Sequence, residues 1–351
     1  MRAAFAFLGF ISYIYRTMPI SAYAAKAPKG RLETFSYEPG PLGALEVEVK
    51  VTHCGICHSD QAMIDNDWQF SAYPLVPGHE VVGTIAAVGA QVTGLKIGQR
   101  VGIGWQCGSC RECEYCRSGH EAYCAKERDT IVHHHGGFGE RVRADSHFAI
   151  PLPDALDSAQ AAPLLCAGTT VFTPMLHHGV TGNTRAAVVG IGGLGHLAVQ
   201  FLAKLGCEVT AISTSHNKDD EARSFGAAHF IATKGTDELQ KAAGSFDFII
   251  STVPADLAWN DFINALRPRG KLVFVGVPDS DLKLSAFALI GHEKSVVGGR
   301  TGSPAEIATM FAFAARHGVQ AQIEKFAMKD INTAMDRVRT GKMRYRVVLE
   351  A

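Results

Sequence analysis

The stretch Val188-Val189-Gly190-Ile191-Gly192-Gly193-Leu194-Gly195 decides the fold, because it sets a GxGxxG pattern between a strand-like apolar run and a helix-like one. Glycines in this pattern permit a tight turn. They also let a pyrophosphate approach the helix N-terminus, where backbone N–H groups and the helix dipole favour an anion. Outward from the turn, the pattern predicts strands over 185–189, 208–213, 246–251 and 271–275 and helices over 194–205, 219–225 and 256–266. Strands alternating with helices of this length make βαβ units and a parallel sheet. Upstream the grammar differs. Leu45, Val47, Val49 and Val51 alternate with polar residues, and short β runs follow over 81–88 and 100–103, with no helix-length periodic segment. The first part therefore reads as mainly β. A helix over 304–317 and a strand over 345–350 are too small to stand alone and are expected to return to that first part.

At 351 residues the chain is long enough for two domains. Lys plus Arg and Asp plus Glu both total 34, so no basic excess is available to neutralise phosphates, and no nucleic-acid partner is expected. Nine cysteines in a chain of this size point to metal rather than to a disulfide framework, and to a reducing, cytoplasmic location. The start imitates a secretory signal: Arg2, an apolar run over 3–14, and Ala22-Tyr23-Ala24. Arg16 and Pro19 break that pattern, and the run is shorter than the ~20 apolar residues that span a bilayer. Residues 1–17 are accordingly expected to be an upstream, non-core extension before a working start at Met18, with no membrane partner.

Five of the cysteines crowd into Cys107–Cys124. Pairs separated by two residues let tight turns bring thiolates onto one tetrahedral zinc, and Cys107, Cys110, Cys113 and Cys116 all keep that spacing. Two choices of first ligand are thus open. Cys124 closes the set, and one thiol is spare. A redox CxxC is disfavoured, since no βαβ unit surrounds the motif. Other candidates are scattered, as in a site assembled from several loops: Cys54-Gly55-Ile56-Cys57-His58-Ser59-Asp60, then Gly78-His79-Glu80, then Cys166-Ala167-Gly168-Thr169-Thr170. The run His133-His134-His135 reads better as a solvated loop than as a third metal site. For the coenzyme, the second strand of an NAD site usually ends in a carboxylate for the ribose 2′-hydroxyl. Here it ends in Ser213-Thr214-Ser215 with Lys218 beyond, a set that can hydrogen-bond and neutralise a 2′-phosphate, so NADP(H) is expected over NAD(H). Asp219-Asp220-Glu221 stand against that reading.

The ordered set CGICHSD, GHE, CxxCxxCx7C, CAGTT and GIGGLG resembles the zinc-dependent medium-chain alcohol dehydrogenases, most closely their cinnamyl-alcohol-dehydrogenase-like branch, from about Ile20 to the C-terminus. The resemblance implies a GroES-like β domain with two zinc sites (18–165 and 300–351) and a Rossmann doubly wound parallel-sheet domain that binds NADP (166–299). It implies that Cys110, Cys113, Cys116 and Cys124 hold a structural zinc, with Cys107 spare. It places Cys57, His79 and Cys166 on a catalytic zinc, the Cys2His set of alcohol dehydrogenases, with Cys54 as packing. Asp60 would orient His79, Glu80 would lie beside the metal as an exchanging ligand, and Ser59 would relay the substrate proton. Gly190, Gly192, Gly193, Leu194 and Gly195 would form the pyrophosphate turn. Thr170 would meet the nicotinamide, His58 and Arg346 the phosphates, and Val275 the coenzyme edge. Trp68 and Trp105 would line the substrate cleft. Many relatives place a histidine five residues after the catalytic cysteine to finish the proton relay, whereas this chain has Ala62. The implied activity interconverts primary alcohols and aldehydes by hydride transfer in a homodimer or homotetramer. A zinc-independent enone or quinone reductase would lack the Cys57, His79, Cys166 trio. A non-enzymatic zinc- and NADPH-binding regulator or redox sensor would not need Ser59 beside an open metal position.

Overall fold

The computed structural model describes residues 18–278 and 280–351; the extension expected over 1–17 lies outside them. Six strands form one parallel sheet in the spatial order His229–Ala232, Glu208–Ser213, Arg185–Val189, Phe246–Ser251, Leu266–Phe274, Ser295–Gly298. Numbered along the chain this is 3-2-1-4-5-6, the doubly wound order whose switch point lies beside the first strand. Register sets that strand's end: Val189 pairs with Ile212 on one side and with Ser251 on the other. The glycine turn leaves the sheet there and enters the helix Gly195–Lys204.

A second, seven-stranded sheet carries the β part. The strands Ile323–Ala327, Arg346–Glu350, Glu46–Ile56, Glu80–Val88, Arg100–Ile103 and Ile150–Pro151 lie in that order, and Arg141–Asp145 also pairs with Glu46–Ile56. Of the tail, the final strand returns to this sheet: Val347 pairs with Ile56 and Glu350 with His53, antiparallel, whereas the helix Pro304–His317 packs Ile307, Met310, Phe311 and Ala314 into the cluster under the parallel sheet. This returning strand belongs to both cores. Val347 and Leu349 pack into the β cluster, while Tyr345 and Val348 pack into the cluster under the parallel sheet. Each buried aliphatic of this kind contributes roughly 1.5–3 kcal/mol.

Several elements differ from the expectation. The mainly β first part contains the helix His58–Asp65, which no apolar period announces. It is set by a capping box instead, the Asp60 side chain reaching back to accept from the Cys57 N–H. The helix Ala167–His177 likewise carries no periodic signature, because it is apolar nearly all round and contains Pro174. The helix expected over 256–266 begins only at Trp259, and the next strand begins at Leu266 rather than at residue 271.

Candidate active site and metal centres

The strand Glu46–Ile56 delivers Cys57 at its end, and the neighbouring strand begins at Glu80, so antiparallel pairing of Gly55 with Glu80 brings the two sequence-distant motifs face to face. Close approach demands the glycine. A Cβ at Gly55 would fall 1.9 Å from Glu80 Oε2. Cys166 arrives from the turn before the helix Ala167–His177. Ligand-type atoms of Cys57, His79, Glu80 and Cys166 all lie within 4.8 Å of one another, with Cys57 and Cys166 sulfurs 3.8 Å apart.

Asp60 fixes this geometry. Its Oδ2 accepts from the Cys57 N–H at 2.9 Å, and its Oδ1 accepts from the Gly78 N–H at 2.8 Å and from His79 Nδ1 at 3.0 Å. His79 Nε2 is therefore left to face the sulfurs, buried and with no hydrogen-bond partner. Glu80 Oε2 is orphaned in the same way, while its Oε1 accepts from Arg346. Orphaned donors amid two thiols fit a tetrahedral cation, which would restore what burial removes. Electrostatics agree. The Cys166 S–H, with His79 and Arg346 close by, holds Cys57 well below the usual thiol range. Burial opposes charging of His79, but Asp60 and Cys57 outweigh it and raise the imidazole well above its usual value. Burial pushes Glu80 up to about 7 against the pull of Arg346.

Further residues surround this group. Ser59 Oγ lies 3.8 Å from Cys57 Sγ. Trp105 packs edge-on against His79, ring centroids 5.0 Å apart, and Trp68 meets Trp105 at 6.1 Å. Trp68 is 41% exposed, and His58 is exposed at the head of its helix.

The second metal-type group is Cys110, Cys113, Cys116 and Cys124, again within 4.8 Å of one another. Backbone amides do much of the work. Cys110 Sγ accepts from the Glu112 and Cys113 N–H groups, which lower its thiol to about 6, and Cys124 Sγ accepts from Cys110 and Lys126. Cys107 and Cys54 are buried outside both groups, each raised by burial, Cys107 to about 12. The histidine run is less solvated than expected: His134 Nδ1 donates to the Thr130 carbonyl at 3.2 Å, and His135 lies 3.9 Å from the Tyr37 ring.

At the coenzyme end, a Cβ at Gly195 would sit 1.8 Å from the Gly190 carbonyl, so helix and turn touch backbone to backbone, while a Cβ at Gly192 would meet nothing within 4 Å. The turn thus leaves an open cradle of the kind a pyrophosphate fills. Lys218 Nζ donates to the Ile191 carbonyl at 2.5 Å, which sets its charge beside that turn. Ser213, Thr214 and Ser215 follow the adjacent strand end, with Thr214 exposed. Arg346 lies between cradle and metal site. Its Nη1 is 3.1 Å from where a Gly193 Cβ would be, and its Nη2 is bonded to Glu80. Thr170 and Val275 are each partly buried, Thr170 in the first turn after Cys166 and Val275 just past the strand Leu266–Phe274.

Two sequence-family models match what this geometry suggests. The alcohol dehydrogenase GroES-like domain matches residues 43–154, and the zinc-binding dehydrogenase domain matches 193–316. The chain belongs to the zinc-binding alcohol dehydrogenase family. Within it, the chain is 49% identical over 330 residues to aldehyde reductase AdhA of Synechocystis, covering 94% of this chain and 98% of that one. It is 40% identical over 337 residues to a probable cinnamyl alcohol dehydrogenase of Arabidopsis thaliana, covering 93% of each. A Sorghum bicolor cinnamyl alcohol dehydrogenase superposes with a TM-score of 0.91 at 39% identity, over 95% of this chain and 98% of that one. A Helicobacter pylori relative solved with NADP(H) gives 0.87 at 30% identity, over 95% and 98%. No helix among the described residues is long and apolar enough to cross a membrane.

Proposed function

We propose that this chain is an NADP(H)-dependent zinc alcohol dehydrogenase and aldehyde reductase, acting on primary alcohols and aldehydes. The observation that carries the reading is the convergence of Cys57, His79 and Cys166 beside an accessible Ser59. When bound, zinc supplies Lewis acidity to the substrate oxygen, and the nicotinamide exchanges hydride with the carbon that bears it. Cys57, His79 and Cys166 hold that metal, with Glu80 able to enter as a further donor, and Cys110, Cys113, Cys116 and Cys124 hold a second, structural zinc.

Ser59 Oγ takes the hydroxyl proton during oxidation and returns it during reduction. At Ala62, on the same helix, no side chain carries the proton onward, so water at the exposed helix head receives it. Asp60 keeps His79 Nδ1 occupied and thereby directs Nε2 to the metal. Trp68 and Trp105 narrow the cleft toward slim aldehydes. The glycine turn seats the pyrophosphate, with Arg346 and His58 at its phosphates and Thr170 and Val275 along the nicotinamide. Ser213, Thr214, Ser215 and Lys218 receive the 2′-phosphate.

The division of labour is a catalytic part over 18–165 and 300–351 and a coenzyme part over 166–299. Nine unpaired cysteines support a cytoplasmic setting. A homodimer or homotetramer is supported by the free edge at Ser295–Gly298 and the neighbouring Phe287 and Ile290, which are 86% and 76% exposed. The test is turnover of the zinc-loaded protein on a panel of aldehydes with NADPH and with NADH. Reduction with kcat/KM higher for NADPH is expected. No turnover with either coenzyme, or fewer than two zinc ions in active protein, overturns the reading.

A further inference from the structure

The helix Asp219–Ser224 opens with three carboxylates immediately after Lys218, a placement that opposes an anion at this end of the cleft. Two of them are readily accounted for. Asp219 Oδ1 accepts from Arg223 Nε at 2.7 Å, and Asp220 is exposed to solvent. Glu221 is bound differently, by residues of the returning C-terminal segment. The Tyr345 hydroxyl donates to its Oε2, and Arg344 Nε lies 3.1 Å from its Oε1.

Tyr345 is the centre of this arrangement. It is 2% exposed, and its ring lies flat against His196, centroids 4.9 Å apart with 12° between planes. His196 in turn holds the glycine turn: its Nδ1 donates to the Gly192 carbonyl at 3.0 Å, and its Nε2 accepts from the Gln322 N–H at 3.3 Å. Lys218 Nζ lies 5.5 Å from the centre of the Tyr345 ring, and the Arg344 guanidinium 5.6 Å. One buried aromatic thus touches the turn's brace, the cation beside the turn, and the carboxylate that would weaken that cation.

We propose that Arg344 and Tyr345 are positioning residues for coenzyme selection, which keep the Glu221 carboxylate bonded to themselves rather than to Lys218, leaving Lys218 to meet a 2′-phosphate. The inference rests on the NADP(H) reading and adds residues from the catalytic part to a subsite formed by the coenzyme part. The physical reason is simple. A freed carboxylate one helical turn from Lys218 would both pair with it and repel the phosphate, a charge effect that added salt screens.

The experiment uses zinc-loaded, full-length protein and calorimetric dissociation constants for adenosine 2′,5′-bisphosphate and adenosine 5′-monophosphate, alongside NADP+ and NAD+. The wild type is expected to prefer the 2′-phosphorylated member of each pair. Tyr345→Phe keeps the ring and its stack, and Arg344→Met keeps the stem. Together they are expected to cut that preference about tenfold at low ionic strength, and less at high salt, as a charge effect must. Adding Glu221→Gln to the pair is expected to restore the preference to within about twofold, since the harm comes from that one charge. Glu221→Gln alone, which leaves the aromatic packing untouched, is expected to change little.

Equal weakening of both ligands, no rescue by Glu221→Gln, or a large gain in preference from Glu221→Gln alone would each overturn the inference. A wild type with no preference would instead overturn the coenzyme reading itself.

Discussion

The two cysteine centres use similar atoms in opposite ways. In the Cys110–Cys124 lobe every sulfur comes from one short loop, three of the four residues are partly exposed, and the thiols lean on the loop's own amides. In the other, Cys57 and Cys166 are separated by more than a hundred residues, and the ionisable groups around them are buried with their charges balanced against Asp60, Glu80 and Arg346. The first arrangement ties a loop together. The second holds unsatisfied ligand atoms, His79 Nε2 and Glu80 Oε2, together in a buried position. Locality therefore marks a structural centre, and a costly assembly of distant buried groups marks a reactive one.

The largest effects are expected from removing one ligand on each side of this contrast. Cys57→Ser is expected to lower turnover by about a thousandfold, the scale of several kcal/mol of lost Lewis-acid assistance. Its denaturation midpoint is expected to stay close to that of the wild type. Cys110→Ser is expected to do the reverse, costing on the order of 3 kcal/mol of stability while the folded fraction keeps its turnover number. Denaturant titration, zinc content and active-site-normalised kcat of both variants check the pair of outcomes. If both lost stability equally, the distinction between a tie and a reactive centre would collapse.

A smaller effect tests what holds the buried centre together. Asp60→Asn removes the charge that three donors share, Cys57 N–H, Gly78 N–H and His79 Nδ1. It is expected to weaken catalytic zinc retention and kcat by about 10- to 100-fold, the range seen when the partner of a metal-bound histidine is altered. Timed chelation should strip one zinc early and leave the cysteine-lobe zinc in place, and simultaneous loss of both would contradict this.

The smallest effect belongs to Trp105, which stands on the chain just before the cysteine lobe but packs against His79. Trp105→Ala is expected to shift relative kcat/KM toward bulkier aldehydes by about tenfold, or roughly 1–2 kcal/mol of pocket discrimination, with little change in zinc content. An unaltered ranking across the aldehyde panel would assign Trp105 to packing.

What could be read in advance follows the same division. The lobe's four cysteines were visible from spacing, although spacing left Cys107 and Cys110 equivalent as first ligand, and only the family resemblance separated them. The glycine turn and the strands Arg185–Val189, Glu208–Ser213 and Phe246–Ser251 were legible because apolar runs and turns alternate there without ambiguity. The helix His58–Asp65 was not, since a capping contact from Asp60 rather than a hydrophobic stripe creates it. Nor did any periodicity single out Tyr345. Its importance arises from a stack on His196 and a bond to Glu221, both long-range, and the one local hint was its place between Arg344 and Arg346.

The returning strand also has a consequence for protein engineering. Tyr345 braces the glycine turn through His196, and Arg346, next to it, bonds Glu80 and packs close against the same turn at Gly193. A chimaera that grafts only residues 166–299 from a relative would join a foreign turn to a native strap. Transplanting a coenzyme module between members of this family therefore requires the last thirty or so residues to travel with it, as a discontinuous cassette rather than a contiguous one.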